Sequence, residues 1–337
     1  MGNYKFSNKD FTIFLLVNLG LVVIMGFAMS YAYSLDLVGG YPLVHMYYPA
    51  LGVMIALILN KEIRNQVPKE FFGTFMFFSI TSIIYLLIKT LIFHQDPTSK
   101  LQTWLMFGSI SLLIVYFADR EEKIERFGLK ISKKHISSIL CVLLFLVLYM
   151  GRIFLSSLLF GELKEALDPF KNIDTWISLI LLPISFPLSF MLFLGEEYGW
   201  RYFLQPALQE RLGTRLGIIV LGLIWGIWHL PINIFYYSPT TSLYSILNQL
   251  IVCISYSIFF GFVYMKTENI WAIAMIHFIN NNLAFIIYGG TGNNLVFSWK
   301  SVVYNFIFLS IFYLPFLFTK EYSKRKNNIE KSETIIN

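Results

Sequence analysis

Residues 191–206 read MLFLGEEYGWRYFLQP, with two adjacent carboxylates and an arginine inside an otherwise apolar, aromatic-rich run. An ionised side chain at the centre of a membrane helix costs about 2.5–3.5 kcal/mol on insertion scales, so such groups persist where they are paired or used. Glu196 and Glu197 are the only acids at membrane depth, because the other 18 of the chain's 20 fall in connectors, tails or the edges of apolar runs. The surrounding composition places the run in a bilayer. The chain is 56% hydrophobic and 14% charged, with a mean hydropathy of +0.63, whereas a soluble domain carries about 25% charge.

A helix needs roughly 20 apolar residues to cross about 30 Å of hydrocarbon. Ten runs meet that length: 11–34, 41–60, 71–93, 101–118, 136–160, 177–206, 216–237, 246–265, 270–288 and 301–319. The expected fold is all-α, a polytopic membrane helical bundle of about ten transmembrane helices, with no separate soluble domain. The first run exceeds a signal h-region and has no small-residue cleavage pattern, so it reads as a retained helix. The connectors 36–40 and 266–269 are short enough to force antiparallel hairpins.

Orientation follows from lysine and arginine, which are retained on the cytoplasmic side. With the N-terminus inside, 20 of the 26 Lys and Arg fall on the inner side and four, Lys100, Lys164, Lys171 and Lys300, on the outer side. Both termini are therefore expected in the cytosol, in the cell membrane. Lys89 and Arg152 lie within spans near their outer ends, where long side chains snorkel to the interface. The basic loop 119–135 reads as a topology signal that also meets anionic lipid, and the tail after residue 320 as polar and disordered. Cys141 and Cys253 lie in apolar runs, which argues against a disulfide framework. His45, alone among aromatics, reads as a hydrogen-bonded packing residue. Membrane lipid is an expected partner and nucleic acid is not.

The chemistry gathers after residue 175. Glu197 and Arg201 stand four apart with the acid first, the favourable order for a helical ion pair. Pairing there leaves Glu196, about 100° round the helix, on a face with Gly199 and Trp200. A desolvated carboxylate that is not fully paired is the type of group used as a general base or acid near neutral pH. Pro183 and Pro187 are expected to kink this long span, and an inner end near Pro206 would put Glu196 about 15 Å deep. The run GLIWGIWHLPINIF puts Trp225 and His229 on one face and breaks at Pro231, while NIWAIAMIHFINNNLAF aligns His277 with Asn281.

These stretches resemble a known family. GEEYGWR matches E-E-x-x-x-R, WGIWH resembles an aromatic followed after three residues by His, and HFINN matches H-x-x-x-N. In this order they are similar to the CPBP family of intramembrane proteases, also called the ABI or CAAX prenyl protease 2 family. Trp225 stands where Phe is common and Tyr202 where many members have Gly; neither change removes a reacting group. The resemblance divides the chain into amino-terminal helices of unknown role (1–175), a catalytic helix core (176–290), a final transmembrane helix (291–319) and a polar cytosolic tail (320–337).

The family implies an endopeptidase acting on a peptide or protein substrate, with a hydrophilic cavity that opens to the cytosolic side. Glu196 would activate water with help from His229, His277 and Asn281 would stabilise the oxyanion, and Glu197, Arg201 and Trp225 would support them. It leaves open a zinc ion held by Glu196, His229 and His277, because no H-E-x-x-H spacing declares a metal. The bacterial branch suggests bacteriocin immunity or peptide maturation. A non-catalytic scaffold or immunity protein of the same fold, or an ion-coupled transporter, would also carry buried polar groups.

Overall fold

The computed structural model describes residues 6–131, 134–289 and 292–323, and among these every regular element is helical. Eight helices are long and apolar enough to cross a membrane, and ten spans result when two bent pairs each count as one. The polytopic bundle expected from the sequence is thus present.

In the amino-terminal half, α1 (Asn8–Tyr33) is followed by α2 (Tyr41–His45) and α3 (Tyr48–Leu59), which together make one span. α4 (Lys69–Leu87) runs into a π-helical turn at Ile88–Ile92, and α5 (Thr98–Ala118) returns. The short α6 (Glu121–Arg126) precedes α7 (His135–Phe160), and α8 (Leu163–Leu167) follows it. Near α6, Lys130 bridges Glu125 at 2.8 Å and Glu121 at 2.9 Å. Those two carboxylates, Glu125 foremost, hold its ammonium above the usual lysine range.

The sixth span is broken. α9 (Ile173–Ser185) accommodates Pro183 inside it, a 3₁₀ turn covers Phe186–Leu188, and α10 (Phe190–Glu197) departs at 70°. Pro187 supplies no N–H and excludes a continuous ladder. The amide of Met191, in the first turn of α10, is met by Ser109 Oγ at 3.4 Å, which addresses one donor that a helix start leaves open. Beyond Glu197 a π-helical stretch, Tyr198–Leu204, leads into α11 (Gln205–Leu212). The helix therefore continues past Pro206, and Glu196 lies farther from the span's inner end than the expected 15 Å.

The seventh span breaks likewise, α12 (Thr214–Trp228) giving way at His229 to α13 (Leu230–Ile232) and a π turn, Asn233–Tyr237, with a 45° bend. α14 (Ser242–Thr267), α15 (Ile270–Tyr288) and α16 (Trp299–Tyr313) complete the bundle. α17 (Lys320–Ser323) corrects the reading of a tail beginning at 320. Tyr322 is buried and donates its hydroxyl to the Ile258 carbonyl at 2.7 Å, while residues 324–337 lie outside the described part.

The amino-terminal helices form one wall of the core. Trp228 donates Nε1–H to Asn18 Oδ1 at 3.0 Å, and Gly199 lies so close to α3 that a Cβ there would sit 2.2 Å from Pro49 Cβ. Gly199 therefore serves helix contact rather than the reactive face. Lys89 stays at its helix end, bonded to Gln95 Oε1 at 2.9 Å, as a snorkelling side chain does. Cys141 and Cys253 are free and buried.

Candidate active site

Glu196 and Glu197 are both buried, yet their partners differ. Glu197 receives Arg201 Nε at 2.8 Å on one oxygen and His277 Nδ1 at 2.8 Å on the other. The Arg201 guanidinium, itself wholly buried, lies 5.2 Å from the Trp225 ring and 5.4 Å from that of Phe260. These cation–π contacts replace water around its other nitrogens. The glutamate, arginine and histidine form a closed, hydrogen-bonded unit.

Glu196 is bonded on Oε2 alone, by Trp225 Nε1 at 2.8 Å and Trp200 Nε1 at 3.3 Å. Two indole donors, each with a single N–H, fix the carboxylate plane and leave Oε1 without a partner among the described residues. This corrects the expected face in one respect: Trp200 reaches Glu196, whereas Gly199 turns to α3.

The break in the seventh span positions His229. Pro231 follows at the start of α13, and the His229 amide bonds Gly226 O at 3.3 Å instead of closing onto Trp225 O. The Trp225 carbonyl is met by His229 Nδ1 at 2.8 Å. A carbonyl only accepts, so Nδ1 carries the proton and Nε2 keeps its lone pair. On α15, Asn280 Nδ2 donates to Asn281 Oδ1 at 3.0 Å, which leaves the Asn281 amide hydrogens for another acceptor. His277 is packed among Phe193, Trp225 and Phe260, with ring centroids 5.4, 5.6 and 5.9 Å away.

Glu196, His229, His277, Asn281 and Trp225 line one cavity of about 780 Å³, while Glu197 and Arg201 lie behind its wall. Five of the expected site residues thus border the same cavity. Sequence reasoning missed two contributors. His45 lines the same cavity, its Nε2 donating to Trp228 O at 3.0 Å and its ring 6.2 Å from that of His229, so it both packs and borders the site. Arg152 lines the cavity with its guanidinium 5.4 Å from the Tyr149 ring, where snorkelling was expected. The only signal for either was a lone polar residue in an apolar run.

Among the described residues no three His, Cys, Asp or Glu side chains are grouped to hold one metal ion. Glu196, His229 and His277, the expected zinc set, are not grouped around one point as placed. A second groove of about 520 Å³ runs between α9 and α15 and shares Asn282 and Phe285 with the cavity, giving it a lateral flank.

Residues 175–283 match the family model described as type II CAAX prenyl endopeptidase Rce1-like. This segment is similar to the Rce1-like family. The matched segment begins in α9 and ends in α15, so it contains Glu196, His229, His277 and Asn281 and agrees with the CPBP resemblance. No curated protein and no solved structure matches the chain. The matched segment lies in a multi-pass helical membrane protein, and the description of the matched family suggests a function of the intramembrane CAAX-protease type.

Proposed function

We propose that this protein is an endopeptidase of the cell membrane that hydrolyses a peptide bond within the cavity bounded by Glu196, His229, His277 and Asn281. The carrying observation is the asymmetry of Glu196, whose Oε2 is anchored by two indoles while Oε1 is left to face a reactant. Water placed between Oε1 and the His229 Nε2 lone pair loses a proton to the glutamate and attacks the scissile carbonyl carbon. The resulting oxyanion accepts hydrogen bonds from Asn281 Nδ2 and His277 Nε2–H. For His277 to donate from both nitrogens it must be an imidazolium, and before the proton transfer the two carboxylates Glu196 and Glu197 together balance the two cations Arg201 and His277. Collapse of the tetrahedral intermediate breaks the C–N bond, and the protonated Glu196 returns its proton to the leaving amine.

Prenylation of the substrate is not required by any feature of this site. Peptide maturation or bacteriocin immunity are physiological roles that such an activity would serve. Purified protein in proteoliposomes, offered a quenched peptide library, tests the reading. Glu196→Gln is expected to lower turnover by about 10²–10⁴-fold, the range of a positioned acid–base group. Full turnover by that variant would instead favour a non-catalytic scaffold.

A further inference from the structure

The cavity has a definite mouth, and its place in the bundle bears on which side of the membrane supplies the substrate. Cavity-lining residues belong to connectors 34–40 and 289–298 or to the helix portions toward that end: Thr98 opens α5, Ser245 lies near the start of α14, and Phe285 near the end of α15. Gly39 and Leu295 form part of the rim. Toward the other end the bundle is filled. Arg201 and Gln205 are fully buried, Gln205 Nε2 donates to Gly261 O at 3.3 Å, and Tyr322 plugs the gap beneath.

Asn8 starts α1 at the filled end, and an antiparallel succession of ten spans brings α17 back to it, where Arg215 Nε meets Leu317 O at 3.0 Å. The mouth is therefore on the side opposite the start of α1. Described residues of the filled end include Lys61, Arg64, Arg120, Lys123, Arg126 and Lys266, whereas the mouth end has Lys100, Lys164, Lys171 and Lys300. Lysine and arginine stay on the cytoplasmic side. The family resemblance implies a cytosolic opening, but in this bundle that opening and cytosolic termini exclude each other.

We propose that the cavity opens to the extracytoplasmic side and receives a peptide segment that has already crossed the membrane or projects from its outer leaflet. The groove between α9 and α15, lined by Ser178, Leu181 and Ser185 on one side and by Asn282, Phe285 and Ile286 on the other, gives that segment a sideways path. The word substrate rests on the peptidase reading, whereas the side of the opening does not.

Single cysteines at Leu295 (rim) and Glu122 (α6), each in a Cys141→Ser/Cys253→Ala background, are to be labelled with a membrane-impermeant maleimide in right-side-out vesicles. Leu295→Cys is expected to be labelled in sealed vesicles and Glu122→Cys only after permeabilisation. The reverse pattern, or labelling of both in sealed vesicles, overturns the proposal. If Leu295→Cys is labelled from outside but Glu196→Gln keeps full turnover, the peptidase reading fails and the orientation stands. Reversed labelling with an inactive Glu196→Gln removes the orientation alone.

Discussion

Adjacent in sequence, Glu196 and Glu197 have been given separate work by the residues that reach them. The bond between Glu197 and Arg201 was legible, because i,i+4 spacing on a helix brings those side chains together whatever the tertiary fold. The partners that distinguish the two acids were not: Trp225 comes from 29 residues away and His277 from 80, and only helix packing joins them. The family motifs supplied their roles where spacing could not. Trp225→Phe keeps a ring against Arg201 and removes the N–H that anchors Glu196. A hydrogen bond to a charged group contributes about 1.5–3 kcal/mol, so kcat at saturating substrate is expected to fall about tenfold or more, with the thermal midpoint in detergent little changed. Arg201→Ala separates stability from chemistry in the opposite sense. It leaves Glu197 buried without its cation, at a cost of about 3–5 kcal/mol, read as a lowered unfolding midpoint. The double variant Glu197→Gln/Arg201→Met is expected to recover part of that loss.

Helices in this bundle were legible by length, since the bilayer sets a minimum apolar run; most observed spans agree with the expected ones within a few residues, while the sixth runs on to Leu212 and the eighth begins earlier, at Pro239. Their interruptions were legible only in kind. Pro183 sits inside α9, while the 70° bend falls at Ser189 after Pro187, and the π stretch at Tyr198–Leu204 leaves no mark on a 3.6-residue periodicity. Broken helices are characteristic of buried membrane sites because a break frees backbone groups to orient side chains, as the Trp225 carbonyl orients His229. Gly199 shows how closely the reactive helix is held to its amino-terminal wall. Gly199→Ala would place a methyl 2.2 Å from Pro49 Cβ and 2.8 Å from that residue's backbone. Overpacking costs about 1–3 kcal/mol and sometimes more, and here α3 or α10 must shift. The expected outcome is a lowered melting point together with reduced turnover, since Glu196 and Trp200 ride on the displaced segment. Gly20→Ala, with no atom within 4 Å of the added methyl, serves as the neutral comparison.

For the molecule as a whole, motif reading divides the chain at about residue 175, but packing does not respect that boundary. Trp228 in the matched core bonds Asn18 in α1, His45 in α2 packs against the Trp228 ring at a tilt with centroids 3.8 Å apart, and Tyr198 donates to the Phe127 carbonyl at 2.9 Å. A sequence gives no hint of such pairings, because an apolar face against lipid and one against another helix have the same composition. Membrane helices associate through close packing and interhelical hydrogen bonds rather than hydrophobic burial, so a core deprived of α1–α5 loses the contacts that hold its shape and leaves Trp228 Nε1 unpaired. A fragment of residues 173–337 expressed alone is therefore expected to insert but not to hold its fold, and to be degraded or to elute as aggregate on size exclusion in detergent. Residues 1–131 and 134–337 expressed as two chains preserve every one of those contacts and sever only the connector between α6 and α7. Those halves are expected to copurify and to retain turnover. A fragment 173–337 that stays monodisperse and active would instead make the amino-terminal helices dispensable to the site.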